Sequence, residues 1–142
     1  MPVINRFAEL LPELSKWRRD IHAHPELRFE EHRTAAFVAS KLEEFGCDEV
    51  ITGFGGTGVV GVINGKTGSS DRTIGFRADM DALPIREATG AGHTSLTRGV
   101  MHACGHDGHM AMLLGAAKHL AAHGQFNGRV VFIFQPSEEH GQ

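Results

Sequence analysis

Residues 99–109, Gly-Val-Met-His-Ala-Cys-Gly-His-Asp-Gly-His, crowd three histidines, one cysteine and one aspartate into a loop broken by glycines. Cys104 and His106 pair a soft sulfur with an imidazole, a donor set that suits zinc or a similar borderline metal. Glycines at 99, 105 and 108 permit backbone conformations that a Cβ would forbid, so these side chains can converge on one point. A helix opening directly after the loop would aim its N-terminal amides at Cys104 and favour the thiolate. That leaves a second chemistry open, with Cys104 as a nucleophile activated by a nearby histidine. The bland alternative is a buried structural cluster, which the cost of burying unpaired polar groups disfavours.

Two pairs of carboxylates could complete a metal site. Asp79 and Asp81 lie two residues apart in Arg77-Ala78-Asp79-Met80-Asp81-Ala82-Leu83-Pro84, where they could hold a metal or orient a metal-bound histidine. Taken alone, the same pair reads equally well as turn chemistry before Pro84. Glu138 and Glu139 follow an apolar run, and neighbouring carboxylates at the tip of a buried strand need a cation to offset them. Together the groups supply soft and hard ligands plus a spare carboxylate. Metal-assisted hydrolysis needs that combination: the ion acidifies a water and the free carboxylate carries its proton.

The elements that must position these groups follow from hydrophobic periodicity. Leu10, Leu11, Leu14, Trp17 and Ile21 recur at helical spacing, predicting a helix over 7–22 that tolerates Pro12 only if its first turn begins near Leu11. His24-Pro25-Glu26 stops it. A second helix is expected over 30–45 with Gly46 as its C-cap. Strands are expected over 48–52, 57–63 and 73–78, with Asn64-Gly65 as a hairpin signal. A third helix over 107–123 would bury Met110, Leu113, Leu114, Ala117, Leu120 and Ala121, with Met112 as further core filler. His119 and His123 fall near its negative end and read as surface residues. The apolar run 129–134 reads as a strand buried on both faces. This is an α/β pattern with a parallel or mixed sheet, and it gathers Asp79/Asp81, Cys104/His106 and Glu138/Glu139 at one edge.

Composition bounds the remainder. The chain has 142 residues, enough for one domain with a core, and shows no internal repeat or boundary. Fourteen basic against seventeen acidic residues give a net charge of −3 and argue against nucleic-acid binding. Cys47 and Cys104 do not suggest a disulfide scaffold. The first residues lack a signal-peptide core, and no apolar run reaches membrane-spanning length, so a cytoplasmic location is the expectation.

Four segments then carry a family resemblance: Arg19-Asp20-Ile21-His22-Ala23-His24-Pro25-Glu26, the Asp79/Asp81 segment, His102-Ala103-Cys104-Gly105-His106-Asp107-Gly108-His109, and Phe134-Gln135-Pro136-Ser137-Glu138-Glu139. In this order they resemble the signatures of the M20 metallopeptidase family, in the branch of amidohydrolases that cleave N-acyl amino acids. The resemblance implies a three-layer α/β/α zinc-peptidase-like catalytic domain. It also implies one or two divalent ions (zinc, manganese, cobalt or nickel) and a small N-acyl amino acid as substrate. Cys104, His106 and Glu139 fall on metal-ligand positions, Glu138 on the general base and acid. Asp81 falls on the aspartate that orients the site from behind a metal-bound histidine. Asp79 stands where the wider family has a histidine ligand, and His102 and His109 are not expected to bind metal.

Family members are much longer. The resemblance therefore implies that residues 1–142 are the N-terminal part of a truncated catalytic domain, lacking the dimerisation and lid domain and the last ligands. On that basis the isolated chain is expected to be inactive, and the parent to be a homo-oligomer. A non-catalytic fragment or scaffold and a thiol hydrolase using Cys104 are the competing readings.

Overall fold

The computed structural model describes residues 5–140, so the extreme N-terminus, read above as free of a signal segment, lies outside the described residues. Helix α1 (Asn5–Ala23) starts before the predicted boundary, which puts Pro12 inside it and not in its first turn. The proline is exposed, as is Ala8, whose carbonyl loses its i+4 partner and can turn to water. Trp17 and Ile21 are buried on the inner stripe, while Leu11 is left at the surface. Helix α2 (His32–Phe45) ends as expected at Gly46, which takes a left-handed φ of 79° and donates its N–H to the Glu43 carbonyl, while the Cys47 N–H goes to the Leu42 carbonyl.

Strands β1 (Glu49–Phe54), β2 (Gly58–Asn64), β3 (Thr73–Asp79) and β4 (Arg129–Gln135) form one mixed sheet in the order β1-β2-β4-β3. Only β3 and β4 are parallel. Helix α3 (His106–His123) is the crossover between them. A helix in such a crossover runs back against its strands, so its N-terminus shares an edge with their C-terminal ends. The groups beyond Asp79, before His106 and beyond Gln135 therefore meet.

The core forms where α2 and α3 cover one sheet face: Val38 and Leu42, then Met110, Leu114 and Ala117, against Val59, Ile63, Val130, Phe132 and Phe134. Helix α1 lies over α3 at Gly115, where a Cβ would come within 2.8 Å of Leu14. Strand β4, read from the sequence as buried on both faces, is covered on one face by the described residues. Burial alternates along it, and Ile133 lies on the opposite, open face beside Val60 and Ile51. The described residues thus supply the sheet and the helical layer on one side of it. Met112, expected in the core, is exposed, whereas Met110 is fully buried. The β1–β2 hairpin turns at 55–57 and not at Asn64-Gly65. Gly65 instead packs its backbone against Phe126, whose carbonyl would lie 2.0 Å from any Cβ there. Cys47 and Cys104 are both free thiols. No helix among the described residues is long and apolar enough to cross a membrane.

Candidate metal centre

Gly105, at φ 88°, sits at the N-cap of α3 and swings the chain so that Cys104 and His106 face one point. His106 is buried, and its Nδ1 lies 2.9 Å from the Asp81 carbonyl oxygen. A carbonyl can only accept, so Nδ1 carries the proton and Nε2 presents a bare lone pair. That nitrogen looks at Glu138 Oε2 across 3.7 Å and at Glu139 Oε1 across 3.9 Å, both too long for a hydrogen bond. Ligand atoms of Cys104, His106 and Glu139 lie within 4.8 Å of one another, and so do those of Asp79, His106 and Glu138. His106 is common to both groups.

Apart from the Cys104 thiol, which interacts with Glu139, the groups facing inward here are acceptors. Glu139 Oε1 and Asp79 Oδ1 are buried without a hydrogen-bond partner. Arg77 approaches Asp79 from the exposed side, donating to Oδ2 at 3.0 Å, while its Nε lies 3.0 Å from Oδ1 without bonding geometry. The arginine offsets charge but leaves that lone pair free. Orphaned acceptors around a sulfur and an imidazole are the donor set of a divalent cation, so the residues fit one.

The Cys104 thiol is pushed up from its usual pKa, first by its interaction with Glu139, then by burial and by the charges of Glu139, Glu138 and Asp79. The direction is opposite to the one the sequence suggested from the N-terminus of α3. A nucleophilic thiol is poorly served by such surroundings.

Asp81 is almost fully buried and ties two parts of the centre together. Its Oδ1 accepts the Glu138 N–H at 3.1 Å and its Oδ2 the Glu139 N–H at 2.9 Å. The preceding Ser137 has a positive φ of 58° and donates its N–H to Glu31 at 3.0 Å. His102 and His109 stay outside both ligand groups, and burial holds His102 down at a pKa of about 4.

The family model for Peptidase family M20/M25/M40 matches residues 75–142. Hippurate hydrolase of Campylobacter jejuni is 52% identical over 98% of this chain, which covers 35% of that protein. The N-acyl-L-amino acid amidohydrolase of Geobacillus stearothermophilus is 44% identical over 92% of the chain and 35% of its own length. A dinuclear metal-binding M20 peptidase from Bacillus subtilis superposes with a TM-score of 0.84 at 42% identity, covering 90% of this chain and 35% of that one. The chain resembles the M20 peptidase family. It spans about a third of the length of the curated relatives it matches.

The fold brings together the six residues that the sequence gathered at one edge, Asp79, Asp81, Cys104, His106, Glu138 and Glu139. Sequence reasoning missed the polar support beneath them. His22 is buried with Nδ1 2.6 Å from Asp107 and Nε2 3.1 Å from Glu87, and Arg18 pairs with the same Asp107 at 2.9 Å. It also missed Glu31. Isolated polar residues far apart in sequence leave no periodic signal, and only the M20-like segment around His22 hinted at a role.

Proposed function

We propose that residues 1–142 form the N-terminal part of the catalytic domain of a divalent-metal-dependent hydrolase, one that cleaves the amide bond of N-acyl amino acids to a carboxylic acid and a free amino acid. The observation that carries the reading is the convergence of Cys104, the bare Nε2 of His106, Glu138, Glu139 and Asp79, with Glu139 Oε1 and Asp79 Oδ1 buried and unpartnered. The names of the relatives, hippurate hydrolase and N-acyl amino acid amidohydrolase, support the substrate class.

Cys104, His106 and Glu139 would hold an ion, with Asp79 and Glu138 gathered beside the same imidazole. A divalent ion bound there supplies Lewis acidity, which polarises an amide carbonyl and brings a water within reach of deprotonation near neutral pH. Glu138, the more exposed of the two glutamates, accepts the proton of the attacking water and returns it to the departing nitrogen. The backbone that carries its carboxylate is held in place, because the Glu138 N–H is fixed on Asp81. His106 keeps its lone pair on the reacting side, since its proton is committed to the Asp81 carbonyl.

The test uses the full-length protein with hippurate and N-acetyl amino acids. Chelation should abolish turnover, and zinc, manganese, cobalt or nickel should restore it. Glu138→Gln should lower kcat by about 10²–10⁴-fold while the protein still binds metal. Turnover that survives chelators and is lost on thiol alkylation would overturn this reading in favour of Cys104 as nucleophile. The 142-residue chain alone is expected to lack turnover.

A further inference from the structure

Glu31 occupies the N-cap position of α2, yet its side chain makes no capping bond. The cap is supplied from the preceding loop by Glu26, which accepts the N–H of Arg33 at 3.0 Å, the N–H of Thr34 at 2.8 Å and the Thr34 hydroxyl at 2.8 Å. Released from that task, the Glu31 carboxylate turns inward and is fully buried. Its hydrogen-bond donors are the Thr57 hydroxyl and the backbone N–H of Ser137. Neither is a cation. A carboxylate buried on two neutral donors is costly to maintain, and here it spans 106 positions of sequence to reach one peptide group.

That peptide group is the one in front of Glu138. Ser137 is fully buried and holds a φ of 58°, a left-handed conformation that a serine keeps only when its surroundings enforce it. The N–H groups of Ser137, Glu138 and Glu139 are three in succession, and all end on buried carboxylates: the first on Glu31, the next two on Asp81. Asp81 fixes where the glutamates lie, and Glu31 fixes the turn by which the chain enters them. We propose that Glu31 is a positioning residue for Glu138, with Thr57 holding its second oxygen. Without it Ser137 relaxes toward negative φ and rotates the Glu138 carboxylate away from its place 3.7 Å from His106.

This rests on Glu138 carrying the proton, and two readouts separate the two ideas. Glu31→Gln retains both bonds, because Oε1 still accepts from Ser137 and Nε2 can donate to the Thr57 oxygen. Glu31→Leu has similar bulk and no acceptor, and Glu31→Asp keeps the charge but falls a methylene short. In the full-length protein, Leu and Asp should lower kcat about 10–100-fold with KM little changed, and Gln should stay within about threefold of wild type. Independently, deuterium uptake in a peptide covering 135–140 of the metal-free protein should rise for Asp and Leu and stay at the wild-type level for Gln. If Leu does not fold, Asp decides. Wild-type kcat and wild-type uptake in Glu31→Asp would overturn the proposal, as would Gln falling as far as Asp in both readouts. Should wild-type protein hydrolyse no amide, the exchange comparison still decides whether Glu31 holds the turn.

Discussion

At the scale of single residues, the centre works through what each group is prevented from doing. His106 cannot donate from Nε2 because its proton is held by the Asp81 carbonyl, and Asp81 cannot reorient because both carboxylate oxygens hold amides. The sequence marked Asp81 as a site-orienting carboxylate behind a histidine. The structure divides that work differently: the carbonyl lies behind the imidazole at 2.9 Å, and the carboxylate, 3.5 Å from Nδ1, belongs to the glutamate turn. Residue type was legible because chemistry selects it, whereas the division between backbone and side chain depends on the turn after β3. Asp81→Asn tests it. The amide nitrogen would have to face the N–H of Glu138 or Glu139, donor against donor, while the His106 contact survives. Metal affinity of the full-length protein, measured by cobalt or zinc titration, should fall about 10–100-fold with the fold intact. Unchanged affinity would detach Asp81 from the glutamate turn.

At the scale of elements, the sequence located each α-helix and each strand among the described residues, most of them because they present apolar side chains to a shared core. It failed where an element is finished by something distant. Asn64-Gly65 reads as a hairpin, but β2 pairs with β1 and β4, and the glycine is required by the close approach of Phe126. His24-Pro25-Glu26 was read only as the stop of α1. In the fold Glu26 also caps α2, reaching seven and eight residues forward with both oxygens, so one short segment closes one helix and opens the next. A cap contributed from outside the helix obeys no local spacing rule. Glu26→Ala removes the acceptor for the Arg33 and Thr34 amides and should cost about 0.5–2 kcal/mol, read as a lower urea midpoint. Because α2 carries Glu31 at its first turn, the same variant should also raise exchange around Ser137. No loss of stability would mean that water caps α2 equally well.

At the scale of the whole molecule, the long connection 80–105 between β3 and α3 has to be held without regular secondary structure of its own. A bridge between Leu83 and Met101 closes it, the Leu96 N–H returns to the Ala23 carbonyl, and Glu87 pins it to the body. That pin joins three elements: Glu87 meets His22 of α1, which meets Asp107 of α3, directly beside His106. Burial pushes the Glu87 carboxyl up, but bonds from the Thr89 hydroxyl, the Ser95 N–H and His22 outweigh it and hold the pKa down to about 2, against an ordinary 4.5. A pKa lowered by folding means the unfolded chain takes up the proton first, so the stabilisation is complete above about 4.5 and is lost as pH falls toward about 2. Glu87→Gln has no such titration. Wild type should be more stable than the variant at neutral pH, and the gap should close between about pH 4.5 and 2, read from urea midpoints across that range. A gap that stays constant down to pH 3 would show that Glu87 contributes shape alone. A gap that closes on schedule would make the ionised Glu87 the tie by which the connection is fastened to the helix that opens with His106.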